Sequence, residues 1–112
     1  MKNRKELVTE YKGRIVTGGV YAIKNTINEK ILLLSATDLY GCKNRFEFSK
    51  KVNTCTYIRL QQDWNQYGSN SFIFEILDEL EKKDNQTVEE FKEDIKILFE
   101  IWREKFNSEK LY

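Results

Sequence analysis

"GGVYAIKNTINEKILLLSATD", residues 18–38, is the stretch that decides the fold of this 112-residue chain. Its apolar segments 20–24 and 30–35 have the length and residue types of β-strands. The asparagine-rich turn between them predicts a hairpin, because asparagine bonds its own main chain and tolerates left-handed backbone. Four consecutive apolar residues, 31–34, predict that the second strand is buried on both faces and central in a sheet.

Helical patterns flank the hairpin. Residues 4–12 predict a short helix, which the glycine pair Gly18-Gly19 breaks. Thr37 is the predicted N-cap of a second helix that runs to about Lys51, because apolar residues then follow at i, i+3 and i+7 spacing. Residues 55–67 predict a third helix, and the glycine that comes next predicts its end.

The last third of the chain predicts one more strand and one long helix. Residues 72–77 are aromatic and branched, as is typical of a strand. Thr87 and Glu90 have the spacing of a capping box, and an apolar stripe follows at helical spacing. The stripe consists of Phe91, Ile95, Leu98, Phe99, Trp102 and Phe106. The resulting order, α-β-β-α-α-β-α, predicts an α+β fold: a small three-stranded antiparallel sheet covered by helices.

Composition narrows the classes of function. The length suits one domain, and no apolar run approaches the roughly 20 residues that a membrane span needs. The N-terminus lacks the apolar region of a signal peptide, so we expect a cytoplasmic protein with no membrane partner. The chain has no histidine, which removes the commonest metal ligand and general base. Its two cysteines, Cys42 and Cys55, match no zinc spacing and are expected to be reduced thiols.

Charge is unevenly distributed along the chain, although the formal net charge is only +1. Lys and Arg predominate in residues 1–65, whereas Asp and Glu predominate in residues 66–112. The basic half could contact phosphate groups, and the acidic half would repel them. The two halves could equally attract each other within the fold. The sequence leaves both interpretations open.

Two groups of residues carry a resemblance to a known family. The first group lies in the hairpin and reads GVY at 19–21, KNTxNxK at 24–30 and SAxD at 35–38. The second group reads LQxDWNxYG at 60–68 and FxFEIL at 72–77. Together they resemble the GIY-YIG nuclease domains of phage intron homing endonucleases and of the incision subunit of nucleotide-excision repair. The resemblance covers residues 18–106 of a single domain, 1–112, in which residues 1–17 are expected to be an N-terminal helical extension.

The resemblance places two tyrosines, a glycine and an arginine at the catalytic face. The first tyrosine of the family corresponds to Tyr21. The second corresponds to Leu32, and the glycine two residues later corresponds to Leu34. The arginine that meets the phosphate corresponds to Cys42, with Arg45 one turn further along the predicted helix. Of these four positions, only that of Tyr21 keeps the residue type of the family.

The metal-binding glutamate of the family corresponds to Phe99, and Glu100 is the neighbouring candidate for a metal ligand. Phosphodiester hydrolysis needs an activated water, a Lewis acid and a cation for the developing charge. Leucines in place of the tyrosine and glycine suit a packed core better than a wet active site. We therefore expect a degenerate nuclease-like protein without cleavage and without a cofactor. Mg²⁺ or Mn²⁺ would be needed only if nuclease activity is retained.

Three interpretations of the function follow. The first is nucleic-acid binding, most plainly of DNA, because cations alternate with aromatic residues after the hairpin. These cations are Lys43, Arg45, Lys50, Lys51 and Arg59. The second is a protein-interaction module or homodimer, since the chain is rich in aromatic residues. The third is a weakly active metal-dependent endonuclease that uses Tyr21, Arg45 and Glu100. The excess of Lys over Arg, with abundant Ile and Asn, indicates a bacterial or phage origin.

Overall fold

A computed structural model describes residues 16–112, so the predicted helix at 4–12 lies outside the described residues. The described part contains three strands and three α-helices. They are β1 (Thr17–Asn25), β2 (Ile31–Ala36), α1 (Leu39–Lys51), α2 (Gln61–Tyr67), β3 (Phe72–Glu81) and α3 (Val88–Lys105). Short 3₁₀ turns span Ile58–Leu60, Ser69–Ser71 and Ser108–Lys110. The predicted α+β fold with a three-stranded antiparallel sheet is confirmed.

The strands lie in the order β2-β1-β3, so β1 is the central strand. The prediction that the second strand is central was therefore wrong. β2 is apolar on both faces because helices cover both sides of the sheet. An edge strand and a central strand are covered alike in such a fold, so the apolar pattern does not indicate the strand order. One face packs on α1 and α2, and the other packs on α3. Each of the residues Val20–Ile23 in β1 is no more than 4% exposed.

The glycine pair lies inside β1, because this strand begins at Thr17, earlier than the predicted start at residue 20. A Cβ on Gly18 would lie 2.6 Å from the carbonyl oxygen of Ala36. A Cβ on Gly19, whose φ is +145°, would overlap the carbonyl oxygen of Asp78. A register shift follows at once, between Val20 and the next residue. The glycines thus let strands pack closely at an irregular point in the sheet.

The first two helices begin later than predicted. Asp38, and not Thr37, is the N-cap of α1, because its carboxylate accepts a hydrogen bond of 3.0 Å from the backbone N–H of Gly41. The predicted helix at 55–67 is shorter than expected, since a 3₁₀ turn precedes the helical segment α2. Gly68 ends α2 with φ +90°, as predicted.

The long helix α3 confirms the predicted capping box and the predicted apolar stripe. The Thr87 hydroxyl accepts a hydrogen bond from the Glu90 amide, and the Glu90 carboxylate accepts one from the Thr87 amide. The apolar stripe faces the sheet, where Phe91 and Ile95 are buried and the remaining members are half-buried. None of the helices in the described part of the chain has the length and apolar character of a membrane-crossing segment.

The segment after α3 returns to the edge of the sheet. Leu111 forms a parallel bridge with Ile31, and the Tyr112 amide donates a 2.9 Å hydrogen bond to the Ile31 carbonyl. The end of the described chain therefore lies beside the outer edge of β2.

Candidate functional site

Two tyrosine hydroxyls meet on the face of the sheet covered by α1 and α2. Tyr21 Oη lies 3.3 Å from Tyr57 Oη, and the ring of Tyr21 stacks on that of Phe74 with centroids 4.6 Å apart. Burial raises the pKa of Tyr21 far above its usual range, and the hydrogen bond to Tyr57 acts in the same direction. Burial also raises the pKa of Tyr57. Both phenols are therefore neutral near pH 7, and they form a hydrogen-bonded pair.

Arg45 lies next to this tyrosine pair, on the exposed side of α1. Its Nη2 is 3.3 Å from Cys42 Sγ, one turn earlier on the same helix. The positive charge of Arg45 favours the ionised form of Tyr57, but burial outweighs this effect on the pKa of Tyr57. The structure thus brings two candidates from the sequence, Tyr21 and Arg45, into one group through Cys42 and Tyr57.

A polar network centred on the buried Asn25 joins the hairpin turn to α2. The fully buried Asn25 donates hydrogen bonds from Nδ2 to Tyr112 Oη at 3.0 Å and to Asp63 Oδ2 at 3.4 Å. Tyr112 Oη donates to Asp63 Oδ2 at 2.6 Å, and Asn28 also donates to that oxygen, at 3.2 Å. Burial and the bond to Asp63 raise the pKa of Tyr112 to about 12. The asparagines of the KNTxN motif and the aspartate of the DWN motif therefore connect the hairpin turn to α2 and to the terminal segment.

A cleft of about 250 Å³ lies at the outer edge of β2. Because Leu32 and Leu33 point to opposite faces of the sheet, the cleft spans this edge and is bordered by both helical layers. It is lined by Leu32, Leu33, Arg59, Phe99, Arg103, Ser108, Leu111 and Tyr112. Leu32 and Phe99 are the positions at which the family resemblance places the second tyrosine and the metal-binding glutamate. The fold brings these two positions together, and both carry apolar side chains.

Glu100, the candidate metal ligand, lies away from the tyrosine pair. It belongs to α3, on the opposite face of the sheet from Tyr21 and Arg45. Its Oε1 is 3.7 Å from Nη1 of Arg103, and both side chains are more than half exposed. Within residues 16–112, no group of three or more Cys, Asp or Glu side chains is placed to hold a metal ion.

The cations predicted to bind nucleic acid are divided between different places. Lys43 and Lys51 are exposed on α1. Lys50 donates a 2.9 Å hydrogen bond to the Phe72 carbonyl, so it takes part in fixing α1 against β3. Arg59 lies in the cleft at the β2 edge.

The aromatic residues interleaved with these cations also differ in exposure. Phe46 is buried, with 1% of its surface exposed, and packs against Trp64 and Phe74. Phe48 is 63% exposed and is therefore free of the core. Tyr57 is half-buried and packs against the same core as Phe46.

No profile of a known protein family and no curated protein matches the sequence. Two solved structures are similar to it. One is a mutant of the catalytic domain of the intron endonuclease I-TevI, which is 29% identical over 86% of this chain and 91% of that chain, with a TM-score of 0.61. The chain is a GIY-YIG-like domain. The second structure is the catalytic domain of the homing endonuclease I-TevI, with 32% identity over 72% of this chain and 87% of that one, and a TM-score of 0.47.

Several residues of this GIY-YIG-like domain have no signal in the sequence that would mark them. Ser108 and Tyr112 reach the cleft because the chain returns to the β2 edge after α3, and Arg103 reaches it from the last turn of α3. The sequence suggests a stacking or core role for Tyr57, and its pairing with Tyr21 across 36 residues has no local signal. The conspicuous asparagine and aspartate motifs could have indicated a shared network, since such residues are costly to bury singly.

Proposed function

We propose that this GIY-YIG-like domain binds nucleic acid and does not cleave it. The observation that carries the proposal is the cleft at the β2 edge, which is lined by Leu32 and Phe99, the residues to which the resemblance assigns the family's tyrosine and glutamate. Arginines line the same cleft, so the site keeps positive charge. The similarity to an endonuclease catalytic domain supports nucleic acid as the ligand.

The chemistry of the lining side chains favours binding over hydrolysis. A hydrolytic site must hold a water and a metal ion against the phosphate. The isobutyl group of Leu32 and the ring of Phe99 offer no ligand atom to either. Burial raises the pKa of Tyr21 and of Tyr57, which disfavours the ionised phenolate that a base would need. Exposed cations on α1, such as Lys43 and Lys51, remain able to contact phosphates through charge alone.

The test is fluorescence anisotropy of a labelled DNA duplex titrated with protein across a salt series, once with Mg²⁺ and once with EDTA. We expect affinity to fall steeply as salt rises, because each phosphate contact releases counterions, and binding to persist in EDTA. Supercoiled plasmid incubated with excess protein and either Mg²⁺ or Mn²⁺ should remain intact. Nicking that Tyr21→Phe abolishes would instead establish a metal-dependent endonuclease.

A pair of matched variants tests the contribution of α1. Lys43→Glu with Lys51→Glu should weaken duplex binding and flatten its salt dependence. Lys92→Glu with Lys96→Glu makes the same charge change on α3, on the opposite face of the sheet, and should have a smaller effect. Lack of salt-dependent binding by the wild-type protein would contradict the proposal.

A protein partner is the second candidate function, and one observation favours it. Ile58 is 92% exposed, and Phe48 is 63% exposed. Large apolar side chains exposed to this degree are a feature of interaction surfaces when they form a continuous patch. Sedimentation of the wild-type protein and of Ile58→Ser tests this: a mass above 13.4 kDa that the substitution reduces would support a homodimer.

A further inference from the structure

The cleft at the β2 edge brings together two arginines that are distant in the sequence. Arg59 comes from the 3₁₀ turn that precedes α2, and Arg103 comes from the last turn of α3. These two elements lie on opposite faces of the sheet and meet only at its edge. Both arginines line one cleft of about 250 Å³, together with the hydroxyl-bearing Ser108. A cavity of this size is several times the roughly 30 Å³ that a water molecule occupies in the liquid.

The hydrogen bonds of each arginine leave donors for a ligand. Arg59 Nη1 donates to the backbone carbonyl of Tyr112 at 3.4 Å, which uses one of its five N–H groups. Arg103 is paired with Glu100 at 3.7 Å, but both side chains are more than half exposed, and such a pair contributes little stability. A guanidinium can bind a second oxyanion with its remaining N–H groups, in the fork geometry that suits phosphate.

The walls of the cleft strengthen this positive potential. Leu32, Leu33, Phe99 and Leu111 contribute apolar surface to the cleft, and low-dielectric surface weakens the screening of nearby charges. Among the described residues that line the cleft, none has an acidic side chain, and the nearby Glu100 carboxylate lies 3.7 Å from the Arg103 guanidinium. The Tyr112 hydroxyl donates to Asp63, so the acid of the neighbouring network is already hydrogen-bonded.

We propose that Arg59 and Arg103 form a metal-independent site for one phosphate group of a nucleic-acid backbone. The identity of the ligand rests on the proposed function, whereas the phosphate site rests on the geometry of the cleft. The two guanidinium groups supply positive charge at the place where the family resemblance puts a metal ligand. Leu32 and Phe99 would then be apolar lining residues of an anion site.

Two measurements test this site separately from the proposed function. In the first, inorganic phosphate is titrated into the wild-type protein and the side-chain N–H signals of Arg59 and Arg103 are followed by NMR, with sodium chloride at equal ionic strength as the reference. Phosphate should shift both signals, and chloride should not. Absence of a phosphate-specific shift at both arginines overturns the proposal, whatever the protein does with DNA.

In the second measurement, Arg59→Gln with Arg103→Gln is compared with wild type in duplex binding by anisotropy in EDTA. We expect affinity to fall about tenfold. The slope of log K against log salt should decrease by about 0.9 for each phosphate that the variant no longer neutralises. The control, Lys82→Gln with Lys83→Gln, makes the same charge change at the end of β3. Circular dichroism confirms that each variant is folded.

The outcomes distinguish the two proposals. If wild type binds DNA and the arginine variant binds equally well, the phosphate site is refuted and the proposed function stands. If wild type shows phosphate-specific shifts but binds no nucleic acid, the anion site stands and the proposed function fails. Binding to duplex that disappears in EDTA would contradict a metal-independent site.

Discussion

At the scale of single residues, the polar groups that the chain buries are satisfied in pairs or networks. Asn25 is the clearest case, because it has no exposed surface and bonds to three partners through one side chain. Its Oδ1 accepts from the Ile27 amide, which shapes the turn, while its Nδ2 points toward Asp63 and Tyr112. One residue thus fixes the local turn and its packing against distant segments.

The substitution Asn25→Ala should therefore destabilise the protein by about 1–3 kcal/mol, because it leaves buried partners without a hydrogen bond. Asn28→Ala is the matched control, since Asn28 also donates to Asp63 but is exposed. Its removal should cost less than about 1 kcal/mol, because water can replace the amide. Urea unfolding gives both values. Equal effects would show that burial of Asn25 does not matter.

The pKa of Tyr112, raised to about 12, predicts how stability depends on pH. An unfolded tyrosine ionises near pH 10, so between about pH 10 and 12 the unfolded chain loses a proton that the folded chain retains. Stability contributed by this group is therefore complete below about pH 10 and is lost as pH rises toward 12. Burial of Tyr21 acts in the same direction.

In Tyr112→Phe, the fall in urea midpoint between pH 9 and pH 11 should be shallower than in wild type. At pH 7 the variant should be less stable by about 0.5–1.5 kcal/mol, as expected when one hydrogen bond is removed. An alkaline slope that is unchanged from wild type would show that the Tyr112 hydroxyl keeps an ordinary environment.

At the scale of elements, glycines mark two different constraints. Gly19 has φ +145° and lies against the Asp78 carbonyl, so an added methyl group meets both backbone strain and a clash. Gly68 has φ +90° but open space around it, with nothing within 4 Å of an added Cβ. Only the strain remains there.

We expect Gly19→Ala to cost more than Gly68→Ala in a comparison of urea unfolding. Strain alone is worth about 1–3 kcal/mol, which sets the expected destabilisation for Gly68→Ala. Gly19→Ala must in addition displace the β3 backbone and should exceed that range or prevent folding. A smaller destabilisation for Gly19→Ala than for Gly68→Ala would mean that the sheet adjusts freely at this point.

The elements that could be predicted from sequence are those fixed by nearby residues. The capping box at Thr87 and Glu90 and the apolar stripe of α3 act within a few turns, and both are confirmed. The hairpin was also predicted correctly, because its turn chemistry is local. Strand order was not, since it depends on the pairing of β1 with β3, which lies far along the chain beyond α1 and α2. The apolar run Ile31–Leu34 indicates that both faces of this strand are covered, but it does not indicate whether the strand is central or lies at the edge of the sheet.

At the scale of the whole molecule, the candidate site is assembled from four separate segments. The edge of β2, the turn before α2, the end of α3 and the terminal segment each contribute side chains to the cleft. The family resemblance drew attention to Leu32 and Phe99, and the structure places both in the lining of this cleft. It could not identify Arg103 as a partner of Arg59, because their proximity follows from packing on both faces of one edge. Glu100 directly follows the cleft residue Phe99 in the sequence, but its side chain is more than half exposed to solvent.

The two outer strands also differ in how open they are to another chain. An uncovered strand edge presents main-chain groups that a second molecule can pair with, and this leads to aggregation. Leu111 already occupies the start of the β2 edge through its bridge to Ile31. In the described sheet, β3 pairs with β1 alone, and it carries Glu75, Glu79 and Glu81 along its length. A second copy approaching β3 would bring these like charges together. Pairing of a further strand is therefore opposed at the β2 edge by the backbone of Leu111 and at the β3 edge by charge repulsion.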